Sequence, residues 1–306
     1  MNKYLKKNTL NLGTLNIVYL NGGTKKPNKT SGGIVDDGYI RFKDPEVLRV
    51  LLANGVDTDG DGSITEEEAA AVTSIWDWFK GNTVIESFNE LFLFKKVTTI
   101  HNDAFKQCKN LHSVNLSNIK VLGKGAFTEC SLLSEYGSLD CVESLGDYAF
   151  NGTSISGTLR LPRLITMNGT SGNTLAGTSI TEIADLGLIT TIPAYFFRKS
   201  TNLEKATIPD TVVSINRDAF DNCGNLKTIV IGAGIETIAR GIIYRCLKIE
   251  SIVCKSVTPP SFEEGFVGTN STFLIYVPDA SVTIYRDASV WSQYSDRIKP
   301  LSEYTE

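Results

Sequence analysis

Apolar and polar residues follow a pattern that recurs about every 23 residues along the chain. Each copy has an aliphatic residue four positions before a pair of small or apolar residues, and seven copies lie between Ile100 and Cys254. These landmarks are Ile100 with Ala104 and Phe105, Leu122 with Ala126 and Phe127, Leu145 with Ala149 and Phe150, a degenerate copy at Leu175 and Ala176, Ile192 with Phe196 and Phe197, Ile215 with Ala219 and Phe220, and Ile238 with Ile242 and Ile243. A period that holds over this length predicts a solenoid of stacked coils.

Each repeat also contains a short strand pattern. In the repeat that begins at Leu203, Ala206 and Ile208 alternate with Lys205 and Thr207, which is the period of a half-buried strand. The same alternation recurs at Val114 and Leu116, Leu159 and Leu161, Ile229 and Ile231, and Ile252 and Cys254. We therefore predict that these strands stack into one parallel sheet, with an irregular or short-helical outer side to each coil.

The outward residues of this sheet form the candidate partner-binding face. They are Ser113, Asn115, Tyr136, Thr158, Arg160, Lys205, Thr207 and Thr228. The row is mixed and polar, without an aromatic ladder for sugars or a basic stripe for nucleic acid. For any single residue a plain solvated surface is the alternative, but solenoids bind partners through such extended faces.

The patterns predict four regions. They are a flexible or edge-strand basic lead at 1–38, a helical cap at 39–82, a solenoid of about seven repeats at 83–256, and a closing cap at 257–306. The net charge is −4, but residues 1–35 hold six lysines and no acid. These lysines lack arginine or an aromatic platform beside them, so we expect no nucleic-acid binding. No apolar run approaches the roughly 18 residues of a membrane helix, so we expect no membrane span.

Four of the six cysteines share one position in the repeat. Cys108, Cys130, Cys223 and Cys246 each lie three residues after a landmark pair. Free cysteine packs as a small buried hydrophobe, so we expect structural thiols rather than a disulfide framework. Neighbouring coils could still bring Cys108 near Cys130.

The elements I-x-x-x-A-F-x-x-C and L-x-x-I-x-I-P resemble the BspA-type leucine-rich repeats of bacterial surface and secreted proteins. Residues 250–301 are similar to the C-terminal closing unit of that family. The resemblance implies a leucine-rich-repeat solenoid with a role in adhesion or recognition at the cell surface or outside the cell. Two departures stand out: Gly152 and Thr153 replace the usual polar-Cys ending, and residues 168–179 lack the Ala-Phe pair. We expect the middle of the solenoid to bulge or to be less stable.

A second motif occupies residues 57–68 and matches the twelve-residue EF-hand loop. Its candidate Ca²⁺ ligands are Asp57, Asp59, Asp61, the backbone carbonyl of Ser63, Thr65 and Glu68, with Gly62 at the sharp turn. Calcium takes six to eight oxygen ligands in this arrangement, whereas zinc requires nitrogen or sulfur. Thr65 and Glu68 could instead form a helix capping box.

Helical patterns flank this loop. Asp44 and Pro45 predict a capped helix start, and apolar residues at helical spacing predict an exit helix from Glu66 to Phe79. We expect this helix to cover the open end of the first coil through Trp76, Trp78 and Phe79, and the calcium to be structural. A dockerin-like tether is an alternative, although only one loop is present.

The sequence contains no recognisable catalytic constellation, since its two histidines, His101 and His112, have no matching nucleophile or metal-site motif. We therefore expect a non-catalytic, monomeric recognition protein that binds a protein or glycan. The alternative is a structural or receptor-binding part of a larger, phage-derived assembly, which a stable oligomer would favour. Lys3, Lys6 and Lys7 suggest a secretory start, but Asn and Gly interrupt the following apolar run, so no signal peptide is visible. We nevertheless expect an extracellular or cell-surface location.

Overall fold

A computed structural model describes residues 33–34, 38–169 and 172–305. The predicted basic lead at 1–38 lies outside the described residues, apart from 33–34 and 38. Within the described part, the chain contains three α-helices, which are α1 (Pro45–Ala53), α2 (Glu66–Ala71) and α3 (Val282–Asp287). Short 3-10 helices lie at Asn89–Leu93, Asp279–Ser281, Trp291–Arg297 and Leu301–Glu303.

The strands are short and follow one another through the whole described chain. They are β1 (Gly33–Ile34), β2 (Ile40–Arg41), β3 (Ser87–Phe88), β4 (Thr99–Ile100), β5 (Ser113–Val114), β6 (Val121–Leu122), β7 (Ser144–Gly146), β8 (Ser156–Arg160), β9 (Thr166–Asn168), β10 (Ser179–Asp185), β11 (Thr191–Ile192), β12 (Lys205–Ile208), β13 (Ser214–Ile215), β14 (Thr228–Ile231), β15 (Thr237–Ile238), β16 (Ser251–Cys254), β17 (Ser261–Phe262), β18 (Leu274–Val277) and β19 (Ile298–Pro300).

The coils stack through two kinds of parallel ladder. One is a seven-stranded sheet in the order β19-β18-β16-β14-β12-β10-β8, which runs through the C-terminal half of the solenoid. The other is a ladder of short strands, split into β4-β6-β7-β9 and β11-β13-β15-β17. In the N-terminal half, the counterpart of the large sheet is β3 paired with β5, continued by a single parallel bridge between Ser113 and Glu135. The predicted parallel solenoid is confirmed, but its outer side carries this second ladder rather than only irregular or short-helical segments.

The core is built as the sequence alternation predicts. The inward strand residues, including Ala206, Ile208, Ile229 and Ile231, are buried, and so are the landmark pairs. Phenylalanine rings stack from one coil to the next. Their centroids are 5.1 Å apart for Phe79 and Phe105, 5.1 Å for Phe105 and Phe127, 5.4 Å for Phe127 and Phe150, and 5.3 Å for Phe197 and Phe220.

The middle of the solenoid is irregular, as its missing Ala-Phe pair predicts. The pairing of β10 with β8 contains register shifts between Ile180 and Glu182 and between Ile183 and Asp185. The second ladder is interrupted between β9 and β11. The degenerate landmark pair is Thr174 and Leu175, one residue before the predicted pair of Leu175 and Ala176. Hydrogen bonds from Phe150 N to Thr174 O and from Leu175 N to Phe196 O place Leu175 in the phenylalanine position.

The exit helix after the acidic loop is shorter than predicted. It ends at Ala71 rather than at Phe79, because Val72 is extended and the Ser74 hydroxyl accepts a hydrogen bond from the N–H of Trp76. A short side chain that bonds to a nearby N–H competes with helix formation. Phe79 is fully buried against Phe105, as predicted, but Trp76 is 57% exposed and does not close the coil end.

Candidate functional site

The acidic loop between α1 and α2 brings three carboxylates together. Asp57, Asp59 and Asp61 each offer an oxygen, and these oxygens lie within 4.8 Å of one another. Asp57 accepts hydrogen bonds from Gly60 N at 2.7 Å and Gly62 N at 2.9 Å, so the loop folds around its first carboxylate. Three clustered carboxylates repel one another, and a hard cation with oxygen ligands would relieve that repulsion.

The loop backbone turns sharply at Gly62 and pairs with the segment before α1. Gly62 has a φ of +86°, a region in which glycine is favoured because it lacks a Cβ. Ile64 is buried, and its carbonyl accepts a hydrogen bond from Ile40 N at 2.8 Å. Glu66 N donates to Gly38 O at 3.0 Å, which completes an antiparallel contact. The segment before α1 therefore pairs with the loop at the position where a second EF-hand loop would pair.

Glu68 forms the capping box with Thr65, the alternative that the sequence allows for this pair. Its Oε1 accepts hydrogen bonds from the backbone N–H and hydroxyl of Thr58, and its Oε2 accepts those of Thr65. Thr65 Oγ1 in turn accepts from Glu68 N at 3.2 Å. Burial alone would raise the pKa of Glu68, but these hydrogen bonds outweigh it and lower the pKa to about 2. Both carboxylate oxygens of Glu68 thus have partners within the protein, separate from the three-aspartate cluster.

A buried aspartate connects this cap to the first coil. Asp44 Oδ1 caps α1 by accepting a hydrogen bond from Glu46 N at 2.9 Å. Its Oδ2 accepts from Glu86 N at 2.6 Å and Ser87 N at 3.0 Å, at the edge of the first coil. One carboxylate therefore fixes both the start of the helix and its position on the solenoid.

The outward face of the seven-stranded sheet has two aligned rows. Register pairs place Thr158, Glu182, Lys205, Thr228, Ser251 and Leu274 side by side in one row. A second row runs through Thr207, Val230, Val253, Tyr276 and Lys299, with Arg160 opposite Asp185 at the β8 end. The face is polar and charged near β8 and β10 and more apolar near β14 to β18.

Five of the eight predicted face residues lie in these rows, and three lie elsewhere. Ser113 is 3% exposed and accepts a hydrogen bond from Asn89, so it is not an outward surface residue. Asn115 is half-buried, and its Oδ1 accepts from the N–H and hydroxyl of Ser117. Tyr136 packs inward against Phe150, because Glu135 pairs with Ser113 and shifts the register by one residue.

The residue pattern does not identify some residues of this face. Glu182 and Asp185 lie beside Thr158 and Arg160, but the bulges in β10 disrupt the alternation that would identify them. Tyr276 and Lys299 extend the second row through β18 and β19. The alternation in 273–277, a segment predicted only as part of the closing cap, is the signal for Tyr276. Val230 and Val253 are buried although they belong to the outward row.

The repeat region matches the family model described as BspA type leucine rich repeat region (6 copies). The matched residues are 79–201 and 190–288, which is more than half of the chain. The chain belongs to this BspA-type leucine-rich-repeat family. The four buried repeat cysteines are the C of its I-x-x-x-A-F-x-x-C element, and the structure contains all of them as free thiols.

Three solved structures are similar to this chain at low identity. A leucine-rich repeat protein from Bacteroides ovatus is 17% identical, with a TM-score of 0.50 over 71% of this chain and 60% of that chain. A leucine rich cell surface protein from Faecalibacterium prausnitzii is 15% identical, with a TM-score of 0.31 over 68% of this chain and 77% of that one. The pneumococcal vaccine antigen PcpA is 12% identical, with a TM-score of 0.25 over 68% and 76%. The Bacteroides ovatus likeness supports the fold alone.

The present chain spans 60% of the length of the B. ovatus protein. A comparison with curated proteins found no significant match. In residues 33–34, 38–169 and 172–305, no helix has the length and apolar character needed to cross a membrane.

Proposed function

We propose that this leucine-rich-repeat protein is a non-catalytic recognition protein that acts outside the cell or at its surface and binds a protein partner. The proposed surface is the outward face of the seven-stranded sheet. The observation that supports it most is the unbroken register of the two outward rows from β12 to β18. Family membership supports the location and the binding role, since BspA-type repeats are those of bacterial surface and secreted proteins.

The face has the composition of a protein-binding surface. Its charged end contains Arg160, Glu182 and Lys205, and its other end contains Leu274 and Tyr276. Protein interfaces combine apolar and aromatic anchors with a polar rim that sets orientation. Seven strands at the usual spacing extend over about 29 Å, which is enough to contact a folded domain.

The test compares charge reversals on two sides of the coils. Purified wild-type protein is applied to an array of secreted and cell-surface proteins to identify its binding partners. The affinity for each partner is then measured by surface plasmon resonance. A variant with Arg160→Glu and Lys205→Glu should weaken binding at least tenfold, because two contacts on the face change sign. The control, Lys109→Glu with Lys199→Glu, alters the turns after the phenylalanine pairs and should bind within twofold of wild type.

Equal loss of binding in the control would contradict this surface assignment. Unchanged binding by the face variant would also contradict it. Melting temperatures of both variants show whether each one is folded.

We further propose that the acidic loop binds one Ca²⁺ ion with a structural role. Asp57, Asp59, Asp61 and the backbone carbonyl of Ser63 would hold it, and Thr65 would contribute directly or through water. The proximity of the three carboxylates supports this proposal. Glu68 fits less well as observed, because its carboxylate would have to leave its hydrogen bonds with Thr58 and Thr65 to join the site.

Thermal melting with excess calcium and with EGTA tests the ion. Calcium that binds only the folded protein at one hundred times its Kd adds about 2.7 kcal/mol of stability, so the melting temperature should rise by about 4 °C. The Asp57→Ala variant should lose this rise. Glu67→Gln, on the exposed side of α2, should keep it. No rise in wild type, or an equal rise in Asp57→Ala, would contradict the calcium proposal.

A further inference from the structure

Trp76 lies in an unusual backbone conformation between the cap and the first coil. Its φ is +42°, a region that bulky residues rarely occupy. The N–H of Trp76 donates to the Ser74 hydroxyl at 3.0 Å, which holds this conformation in place. Backbone strain of this kind persists where a side chain must be presented in a fixed orientation.

The indole of Trp76 stacks on the imidazole of His101. The ring centroids are 4.4 Å apart and the planes are 19° from parallel. Trp76 is nevertheless 57% exposed, the highest exposure of any aromatic residue among the large hydrophobic residues at the described surface. One face of the ring therefore rests on the protein, and the other face is open to solvent.

Polar residues lie next to both stacked rings in the chain. Ser74 lies two residues before Trp76, and Asp77 directly follows it. Asp103, two residues after His101, accepts a hydrogen bond from Lys80 at 2.9 Å. Asn102 accepts from Lys124 N through Oδ1, which leaves its amide N–H groups as donors at the exposed surface. A protein interface is usually built around a larger cluster of apolar side chains, whereas this site is one exposed indole stacked on one imidazole, with polar residues beside both in the chain.

We propose that Trp76, supported by His101, is a binding platform for a saccharide ring. The C–H face of a pyranose is apolar and packs flat on an indole, while its hydroxyls require donors and acceptors at the ring edge. The carboxylate of Asp77, directly after Trp76, offers an acceptor, and the amide of Asn102, directly after His101, offers a donor. This platform is separate from the outward face of the seven-stranded sheet and gives the protein a second ligand class.

The three tryptophans make the test specific. The indole N–H signals of Trp76, Trp78 and Trp291 are followed by NMR while soluble oligosaccharides are added. The panel consists of β-glucan, mannan, chitin and galactan fragments. At least one fragment should shift the Trp76 signal in a saturable way. The Trp291 signal should stay in place, since its N–H is buried and donates to Pro260 O at 2.9 Å.

Variants then measure the contribution of the ring. Trp76→Ala should weaken saccharide binding at least tenfold, Trp76→Phe should weaken it less, and the control Trp78→Phe should stay within threefold of wild type. Trp76→Phe keeps a ring in place if Trp76→Ala does not fold. Absence of any saturable Trp76 shift across the panel would overturn the proposal. Loss of a protein partner in Trp76→Ala, without saccharide binding, would instead assign the ring to a protein interface and would also overturn it.

Discussion

The thiol of Cys130 donates a hydrogen bond to the backbone carbonyl of Phe105 in the preceding coil, at a distance of 2.9 Å. Cys108, Cys223 and Cys246 make the same contact with the carbonyls of Phe79, Phe197 and Phe220. Ser200, in the equivalent position of another coil, donates through its hydroxyl to Leu175 O at 3.0 Å. Five coils thus have a side-chain donor to the preceding coil at this position, as well as a small buried volume.

Cys130 substitutions should separate the donor from the volume. Cys130→Ala removes both the sulfur and the hydrogen bond, so we expect it to lower the free energy of unfolding by about 2 kcal/mol. Cys130→Ser keeps a donor, as Ser200 does, and should lose about 1 kcal/mol or less. Urea denaturation followed by circular dichroism measures both values. Equal losses in the two variants would mean that the hydrogen bond contributes nothing.

The sequence predicted those features that depend on the repeat itself. The alternation of Ala206 and Ile208, the buried cysteines and the stacked phenylalanines all follow from residue type and period. Its errors occur where the period is interrupted. Tyr136 was assigned to the wrong face because the third coil is shifted by one residue, a shift that appears only in its pairing with Ser113.

The structure differs from the predicted N-terminal cap in the length of its exit helix. Apolar spacing alone extended α2 to Phe79, and a local hydrogen bond from the N–H of Trp76 to Ser74 prevents this. The three aspartates cluster as their spacing predicts, whereas the partners of Glu68 depend on how Thr58 and Thr65 are oriented. Whether calcium binds remains a prediction of the loop.

Gly187 occupies a position between coils where a side chain has no space. Its φ is +63°, and an added Cβ would lie 2.5 Å from Leu164 O and 2.8 Å from Leu161 O. Gly187→Ala should therefore lower the free energy of unfolding by about 3 kcal/mol or more, since backbone atoms must move. Gly224→Ala is the matched control. It has no atom within 4 Å of the added Cβ and should change stability by less than about 1 kcal/mol. Comparable effects of the two substitutions would contradict the close approach at Gly187.

Asp44 should be important for attachment of the cap. Asp44→Ala removes the helix cap and leaves the N–H groups of Glu86 and Ser87 without their acceptor, so we expect a loss of about 3 kcal/mol. Asp44→Asn keeps one acceptor oxygen and should lose less. Hydrogen exchange of residues 45–53 and 85–88 measures the effect. Protection that stays at the wild-type level in Asp44→Ala would contradict this role.

The buried thiols should make the protein sensitive to alkaline pH. The contact with Cys108, followed by burial, raises the pKa of Cys130, and burial raises the pKa of Cys223 and Cys254. A thiol whose pKa is raised in the folded state holds its proton more tightly there than in the unfolded state. The stability of the folded state is therefore complete below the ordinary thiol pKa of about 9 and is lost as the pH rises above it.

Each such thiol should lower stability by about 1.4 kcal/mol per pH unit above that point. Urea midpoints at pH 8, 9 and 10 measure the slope. In the Cys223→Ala variant, stability should fall less steeply with pH, by the contribution of one thiol, whatever its stability at pH 8. An identical slope in this variant would show that Cys223 stays protonated in both states or ionises in both.

Photo-crosslinking tests most directly whether the outward face of the seven-stranded sheet contacts a protein partner. A photoreactive phenylalanine analogue is placed at Thr207, in the second outward row, or at Thr237, an exposed residue of the short-strand ladder. Both proteins are irradiated with the partner identified on the protein array. We predict a crosslinked complex from position 207 and none from position 237. Crosslinking only from position 237, or from neither position, would contradict the assignment of this face.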